Sequence, residues 1–346
     1  MCGGGGCWGP HYRAHRPTSY SSCNLCIGSW LNIDSESMLE SRRFAKAARA
    51  IVILPLLAAG PLVVRAQPEW KLRASLLHSE ASYLADKGEH QSALALFSQA
   101  FDLDPLSRTH CFDAISCALA VGDTALANSL LSMGVQHGFD PKLYSGANDL
   151  QEHLRGPGSI GFRSRWQADR AVFAASCDSA LIDAVEALHD ADQAARRGKD
   201  YTKETRRIDS LNFEKLITLV EQHGFLTERL LGHSTGSVQL LLWHQRAPHY
   251  PNSSQWQRLL PHIRIAIANG DLSPSYLCAF DDHAAQEANE PMPYGTLIGY
   301  FRNYLDTIKL PARDALNARR RMVGLGPIEW DAAMLGIPME ALPFGP

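Results

Sequence analysis

Several polar residues in the C-terminal half of this chain stand where an amphipathic helix would place apolar side chains. Asp192, Asn212, His223 and Asp281 each lie three or four residues from Leu, Ile, Val or Phe, the spacing that brings side chains onto one helix face. Buried polar groups are destabilising unless they are paired. These four residues therefore predict a shared hydrogen-bond network or a functional site.

The chemistry that such residues could perform is general acid–base catalysis. His244, Asp281 and Asp192 are the catalytic candidates, because a histidine and a carboxylate in a water-poor centre can transfer protons. Seven further residues are binding candidates, and the arginines among them could stabilise an anion. These residues are Arg196, Asn212, His223, Tyr294, Thr296, Arg319 and Arg320.

The pattern predicts no metal site and no cofactor. Asp192, His223, His244 and Asp281 have side chains of types that bind metals. However, they belong to four predicted helices and form no ligand pair at i, i+3 or i+4 spacing. The sequence also lacks a nucleophile elbow, a phosphate-binding glycine loop and an HExxH motif.

Each candidate also has a structural interpretation. Asp192 and Arg196 are four residues apart and can form an ion pair within one helix. His223 precedes a glycine at a predicted helix C-terminus, where the helix dipole favours it. Thr296 could cap a helix N-terminus, and residues 317–321 could be a solvated face. Because buried networks also specify packing, the structural or binding interpretation is favoured over an enzymatic one.

Helical periodicity places these residues on a mainly helical domain. The predicted helices cover about 181–197, 205–223, 235–246, 255–269 and 274–286, with a last helix that ends before Gly324. Gly224 is the expected C-cap of the second helix, and Pro261 is expected to interrupt the fourth.

The order of these elements resembles that of an uncharacterised bacterial domain family over about 181–330. The matching residues are Asp192-Gln193 with Arg196, Asp209 with Asn212, His223-Gly224, Gly232, His244, Asp281, Tyr294-Gly295-Thr296 and Arg319-Arg320 before Val323-Gly324-Leu325. The chain departs from the family pattern at Ala247, Asp282, Met292 and Leu297, where polar groups of the pattern are missing. The resemblance implies no known activity. If the family is enzymatic, these departures imply an altered or lost activity.

Residues 72–141 repeat at a spacing of 34 residues, with Gly88 matched to Gly122 and Ala93 to Ala127. Each unit is predicted to be a helix, a glycine turn and a second helix, with small residues where the helices approach closely. The pattern resembles the tetratricopeptide repeat. The residues that carry the resemblance in the first unit are Ala81, Gly88, Ala93, Phe97, Ala100 and Pro105. The second unit is looser, with Ile115 in the position of a small residue.

Such a repeat implies a surface for a protein or peptide partner. The alternative is that two repeats serve only as a packing platform, because two units present little concave surface. Gly156, Pro157 and Gly158 predict a loop or linker over 145–162, and capping helices are expected up to about 180. The two repeats are expected to lean on the C-terminal domain, since repeats need neighbours for stability.

The start of the chain predicts export. Residues 38–66 match a signal peptide, with a basic segment, an apolar segment at 50–64 and a small-residue cleavage site before Gln67. The apolar segment is shorter than the roughly 20 residues of a membrane-spanning helix. We therefore expect no stable membrane span after cleavage, and an uncleaved anchor is the less favoured alternative.

Residues 1–37 precede the predicted signal peptide and are interpreted as upstream sequence read from too early a start. A four-cysteine zinc knuckle in this stretch is the less favoured alternative, because a folded metal module ahead of an export signal makes little sense. The expected location of the mature protein is the periplasm or the extracellular space of a bacterium.

Charge and cysteines limit the partners and the covalent links. Without residues 1–66 the chain keeps 26 basic and 33 acidic side chains, a net charge near −7. An acidic chain without a basic tract is a poor candidate for nucleic-acid binding. Cys111 and Cys117 are too far apart along one predicted helix to bridge each other. The pattern allows long-range disulfides or buried thiols.

These patterns together predict an all-α fold, with tetratricopeptide-like helical hairpins followed by a mainly helical C-terminal domain. The predicted divisions are repeats at 67–144, linker and capping helices at 145–180, a helical domain at 181–333 and a C-terminal tail at 334–346. The expected function is that of a binding or interaction protein of the bacterial envelope. The alternative is a hydrolase-like enzyme with an acid–base pair of His244 and Asp281 or Asp192.

Overall fold

The computed structural model describes residues 67–104, 107, 111–144, 146–196, 203–246 and 249–345. The prediction of an all-α fold is confirmed: no β-strand occurs in these residues, and one isolated parallel bridge joins Leu310 to Phe344. The predicted upstream segment at 1–37, the predicted signal peptide at 38–66 and Pro105 lie outside the described residues.

Helical hairpins form the N-terminal part of the described chain. Their helices are α1 (Glu69–Asp86), α2 (His90–Leu103), α3 (Phe112–Ala120) and α4 (Thr124–Gln136). Gly88 and Gly122 turn the chain within each hairpin at φ values of 79° and 78°, which glycine adopts without a steric penalty. Ala81 and Ala93 are fully buried, so that α1 and α2 can pack closely.

Helices α5 (Asn148–Arg155) and α6 (Ile160–Ser176) follow the hairpins. The prediction of a loop over 145–162 was wrong, because α5 occupies the middle of this segment. The sequence of α5 is mostly polar, and Leu150 is the one residue of this helix that is buried. Helix α6 packs on α4, where Ser132 and Gln136 donate hydrogen bonds of 2.5 and 2.7 Å to the buried Asp169 carboxylate.

The C-terminal part of the described chain is a set of helices around one apolar core. They are α7 (Ser179–Arg196), α8 (Lys203–His223), α9 (Glu228–Leu231), α10 (Thr235–His244), α11 (Ser254–Asn269), α12 (Cys278–Glu287), α13 (Arg313–Met322) and α14 (Ile328–Leu335). Trp243, Trp256 and Phe280 are among the largest fully buried side chains. Burial of such apolar side chains is the main source of stability for the domain.

Helix α11 continues through Pro261, which was expected to interrupt it. An interior proline costs a helix about 3 kcal/mol, because it lacks an amide donor and its ring crowds the preceding turn. Pro261 lies on the exposed face, whereas Trp256, Leu259 and Ile263 on the opposite face are fully buried. Burial of that face therefore outweighs the local penalty.

Residues 336–345, predicted as part of a C-terminal tail, belong to the core instead. Ile337 and Leu342 are buried in the apolar cluster. The amide of Leu310 donates to the carbonyl of Pro343 at 3.2 Å, and the amide of Gly345 donates to the carbonyl of Leu310 at 2.8 Å. Backbone pairing and apolar burial together hold this segment in place, and neither is visible in such a short stretch of sequence.

One contact between the hairpins and the C-terminal helices is formed by two glycines. A methyl group on Gly138 would lie 2.5 Å from the Cα atom of Gly232 and 2.9 Å from the ring of Phe173. The amide of His233 donates to the carbonyl of Gly138 at 3.1 Å. The two parts thus meet backbone to backbone, at a distance that only glycine allows.

A second contact covers one face of α1. Tyr83 stacks on Trp330 of α14 with ring centroids 5.3 Å apart. About two turns nearer the N-terminus on the same side of the helix, Ser75 lies beside Gly324, where a methyl group would be 2.6 Å from the serine Cβ atom. The chain segment from 324 to 330 therefore occupies this face of the first hairpin.

Two properties of the described residues relate to the expected export. The structure contains no disulfide among Cys111, Cys117, Cys177 and Cys278. Burial raises the pKa of the Cys111 and Cys117 thiols, to about 12 for Cys117, which makes them poor nucleophiles. Within the described ranges, no helix combines the length and the apolar character needed to cross a membrane.

Candidate functional site

Eight of the ten candidate residues lie in three groups of neighbouring side chains, each named here after its central aspartate. The Asp192 group contains Asp192, Gln193, Arg196, Asp209 and His244. The Asp281 group contains Tyr250, Arg264, Asp281, Tyr294 and Arg319. The Asp282 group contains Asp282, Thr296, Arg320 and Asp331.

The Asp192 group joins helices α7, α8 and α10. The buried Asp192 Oδ1 atom accepts hydrogen bonds from Arg196 Nη1 at 2.6 Å and from His244 Nδ1 at 2.9 Å. Its Oδ2 atom accepts one from Gln193 Nε2 at 2.8 Å. Arg196 Nη2 lies 2.7 Å from Asp209 Oδ1 on α8. Both oxygens of Asp192 are therefore occupied, and one arginine bridges two buried carboxylates.

The electrostatics of Asp192 favour its ionised form. Burial by itself would raise its pKa, but the hydrogen bond and charge of His244 act in the opposite direction. The charge of Arg196 and the hydrogen bond from Gln193 add to that effect, so the pKa lies below its ordinary value. A buried carboxylate held in this way is a charge that the surrounding helices must keep paired.

Two other candidates lie apart from the Asp192 carboxylate. Asn212 is buried as predicted, but its amide donates to the carbonyl of Leu188 at 3.0 Å and so ties α8 to α7. His223 was expected on the buried face of α8 and is instead exposed. Helix α8 ends at His223, directly before Gly224, whose φ is 78°.

The Asp281 group is built around a short hydrogen bond between two half-buried side chains. Tyr250 Oη donates to Asp281 Oδ1 at 2.5 Å. Burial raises the pKa of Asp281, although the Tyr250 hydrogen bond and the charge of Arg264 on α11 oppose this effect. His244, the acid–base partner proposed for Asp281, makes its hydrogen bond to Asp192 instead.

Tyr294 is held beside Asp281 through its backbone. Its amide donates to Asp282 Oδ1 at 2.7 Å, and its carbonyl accepts from Arg320 Nη1 at 2.8 Å. Its two backbone partners are therefore the sequence neighbours of Asp281 and of Arg319. Burial raises the pKa of the Tyr294 phenol to about 12, and the nearby charge of Arg319 opposes that rise.

The Asp282 group holds the loop that follows α12. Asp282 is fully buried, and its Oδ2 atom accepts from the amide and the hydroxyl of Thr296 at 2.6 and 2.7 Å. Burial raises its pKa to about 6, against the opposing effect of these donors. Thr296 was interpreted as a helix N-cap, but turns rather than a helix follow it. Its hydroxyl donates to Asp282 instead.

Arg320 is a fully buried cation with three partners. It donates to the carbonyls of Gly326 and Tyr294 at 2.6 and 2.8 Å and to Asp331 Oδ2 at 2.7 Å. The interpretation of 317–321 as a solvated face was therefore wrong for Arg320, although Arg319 is exposed. A buried arginine whose guanidinium already donates to three acceptors positions the chain and is not available to an incoming anion.

Aromatic rings connect the Asp192 and Asp281 groups. Trp243, which precedes His244, lies 5.6 Å from Phe280, and Phe280 lies 5.5 Å from Tyr250 between ring centroids. His283 meets Trp243 edge to face at 5.7 Å, and burial lowers its pKa to about 3. Of the catalytic candidates, His244 and Asp192 therefore pair with each other, and Asp281 lies apart from them at the other end of this apolar contact.

The sequence pattern missed several members of these groups. Asp282 was noted only as a departure from the family pattern, yet it is more deeply buried than Asp281. Its tandem position with Asp281 was the available signal. Tyr250, Arg264 and Asp331 reach their partners from distant parts of the chain, and no local spacing could identify them.

The described part of the chain contains no group of three or more His, Cys, Asp or Glu side chains arranged to hold a metal ion. In comparisons with known proteins, no family model, no curated protein and no solved structure matches this chain. The resemblances to the tetratricopeptide repeat and to the uncharacterised domain therefore rest on the residues themselves.

Proposed function

We propose that this chain is an exported binding or interaction protein of the bacterial envelope, with tetratricopeptide-like hairpins in front of a rigid helical domain. The observation that carries this proposal is the separation of the catalytic candidates. His244 is bonded to Asp192 and Asp281 to Tyr250, so the pair of His244 and Asp281 is divided. The Asp192 carboxylate that His244 does contact already has both oxygens occupied. A buried carboxylate with both oxygens paired favours a scaffold over a reaction centre.

The surface proposed for a protein partner lies on the segment that follows the hairpins and includes α6. Leu143, Ile160 and Val172 are each more than half exposed, at 60%, 59% and 53%. Helix α6 packs one side on α4, and most residues of its other side are exposed. The face of α1 that includes Tyr83 is, in contrast, covered by the chain's own segment 324–330.

Site-specific photo-crosslinking in a cell that produces the protein tests this proposal. A photoreactive amino acid is placed at Leu143, Ile160 or Val172, with Ile265 on α11 as the matched control because it is equally exposed. We expect the first three positions to capture the same partner and Ile265 to capture none. Absence of adducts, or the same adducts at Ile265, would contradict the proposal.

A second candidate function is a hydrolase-like activity at His244. The observation that favours it is the orientation of the ring: Nδ1 donates to the buried Asp192, and Nε2 has no partner among the described residues. A carboxylate that accepts a hydrogen bond from Nδ1 leaves Nε2 unprotonated and fixes the orientation of the ring, as a general base requires. Hydrolysis of simple esters that is lost in His244→Gln and kept in His223→Gln would support it, whereas no hydrolysis by the unmodified chain would exclude it.

A further inference from the structure

Helix α6 turns one stripe of its surface into the fold and leaves most of the rest exposed. Phe162 and Asp169 are its buried residues, and the half-buried Trp166 and Phe173 lie on the same stripe. Asp169 is the only acidic residue of the helix, and its carboxylate accepts two hydrogen bonds from α4. The exposed surface of α6 therefore carries no carboxylate of its own.

Three arginines lie on that exposed surface, and none of them forms a close ion pair. Arg165 Nη2 lies 3.8 Å from Asp169 Oδ1, too far for a hydrogen bond, and its side chain is 65% exposed. Arg163 donates to two backbone carbonyls of α5 at 3.0 and 3.1 Å. The Arg170 guanidinium lies 5.8 Å from the ring centroid of Trp166 and has no carboxylate partner among the described residues. The positive charge of this surface is therefore not neutralised by the chain itself.

The sign of this charge is opposite to that of the molecule as a whole. Without residues 1–66 the chain has 26 basic and 33 acidic side chains. On α8 and α11, moreover, exposed arginines are paired with glutamates: Arg207 contacts Glu204 at 2.6 Å, and Arg258 contacts Glu221 at 2.9 Å. A local patch of unpaired positive charge attracts a partner of complementary charge.

Two apolar side chains accompany the arginines of α6. Ile160 is 59% exposed and Val172 is 53% exposed. Helical spacing places Ile160 on the same side of α6 as Arg163 and Arg170, whereas Val172 lies two turns from Arg165 on the other side. Each side of the exposed surface thus combines arginine with a large apolar side chain. Arginine is enriched at protein–protein interfaces, where it surrounds apolar contacts.

We propose that the exposed surface of α6 binds an acidic segment of a partner protein. The carboxylates of that segment lie against Arg163, Arg165 and Arg170, and its apolar side chains pack on Ile160 and Val172. This inference rests on the interaction function proposed above and adds the chemistry of the partner.

A protein segment fits this surface better than an anionic membrane does. Helix α6 turns its aromatic side chains towards the fold and so has only two large aliphatic side chains to offer to a bilayer. The acidic remainder of the chain is also repelled by an anionic lipid surface.

Photo-crosslinking from position 160, in cells that produce the full-length chain, tests the charge of the partner. Arg170→Glu should lower the yield of the partner adduct by at least about tenfold, because like charges would then face each other. Arg170→Lys keeps the charge and should keep most of the adduct. Arg73→Glu is the matched control, since Arg73 is an exposed arginine on α1 and its reversal changes the net charge by the same amount. The control should leave the yield unchanged.

A second variant and the identity of the adduct sharpen the test. Arg165→Glu should lower the yield in the same way as Arg170→Glu, and an unchanged melting temperature shows that each variant is folded. Mass spectrometry of the adduct should identify a segment with more Asp and Glu than Lys and Arg.

The outcomes separate this inference from the function on which it rests. Absence of any adduct at position 160 would contradict both. An adduct whose yield is unchanged in Arg170→Glu and Arg165→Glu would leave the interaction function standing and overturn the acidic partner. An equal loss in Arg73→Glu and Arg170→Glu would also overturn it, because net charge rather than α6 would then govern binding.

The membrane alternative has its own measurement. The purified chain is sedimented with vesicles that contain phosphatidylglycerol, and we expect it to remain in the supernatant. Sedimentation with the vesicles that Arg170→Glu abolishes would assign the α6 surface to anionic lipid and overturn the proposal.

Discussion

Asp192 and Asp281 are carboxylates on helices that pack into the same apolar core, but their surroundings differ. Asp192 accepts hydrogen bonds from three side chains, whereas Asp281 accepts one from Tyr250 and has an unpaired second oxygen. The cation that pairs with Asp192 is Arg196 on the next turn of its own helix. The cation near Asp281 is Arg264, which comes from α11 and is exposed. A counter-charge on the same helix therefore makes a buried carboxylate part of the packing.

Removal of the Asp192 carboxylate should have the largest effect. Asp192→Ala leaves Arg196 with one carboxylate partner, Asp209, and leaves His244 without its carboxylate partner. The free energy of unfolding should therefore fall by about 3–5 kcal/mol, as it does when one partner of a buried ion pair is removed. Urea denaturation measures this change. Asp190→Ala is the control, because Asp190 lies on the same helix with an exposed side chain and should change stability by less than about 0.5 kcal/mol. Equal effects of the two variants would contradict a structural role for the Asp192 group.

Asp282→Ala should have an intermediate effect. The substitution leaves the amides of Tyr294 and Thr296 without their acceptor, and an unsatisfied buried donor costs about 1–3 kcal/mol. Hydrogen exchange at these two amides should become faster, while exchange in α4 should not change. Unaltered exchange at Tyr294 and Thr296 would show that Asp282 does not hold this loop.

Asp281→Ala should have a smaller effect on stability than either of these variants. Only one hydrogen bond, from the half-buried Tyr250, is lost, and water can replace the carboxylate. The free energy of unfolding should therefore change by less than about 1 kcal/mol. A loss as large as that of Asp192→Ala, measured under the same urea conditions, would mean that Asp281 is also part of the packing.

The two carboxylates should also differ in how pH changes stability. The pKa of Asp192 is lowered in the fold, so the unfolded chain binds more protons in acid, and this contribution to stability is lost as pH falls through the folded pKa. The pKa of Asp281 is raised, so its ionisation reduces stability as pH rises from the ordinary value of 3.8 through the folded pKa. Unfolding curves between about pH 3 and pH 7 should show a shallower acid loss for Asp192→Asn and a steeper one for Asp281→Asn. Identical pH profiles for the two variants would contradict the assignment.

The sequence was most informative where the relevant contacts are local. Periodicity predicted the helices, and the four-residue spacing predicted that Arg196 can reach Asp192, a contact of 2.6 Å in the structure. It was least informative about long-range partners. The aspartate at 281 was identified, but its hydrogen bond to Tyr250 crosses 31 residues of chain, and nothing in the spacing of either residue specifies the other.

Gly232 and the arginines at 319 and 320 also show that a sequence pattern does not specify long-range partners. Gly232 appeared only as a matching residue, yet it meets the backbone of Gly138 from another part of the chain. The arginines at 319 and 320 are neighbours of the same type, and only the fold makes one exposed and the other fully buried. Residue type and helical spacing can place a side chain on a face, but the opposing surface decides whether it is paired or available.

Two double-mutant cycles under the same conditions test the central distinction between the Asp192 and Asp281 groups. One combines His244→Ala with Asp192→Ala, and the other combines His244→Ala with Asp281→Ala. Because His244 and Asp192 share a hydrogen bond of 2.9 Å, the first pair should be non-additive in the free energy of unfolding by about 1–3 kcal/mol. The second pair should be additive within about 0.5 kcal/mol. Strong coupling of His244 to Asp281, or none to Asp192, would contradict the separation of the two groups.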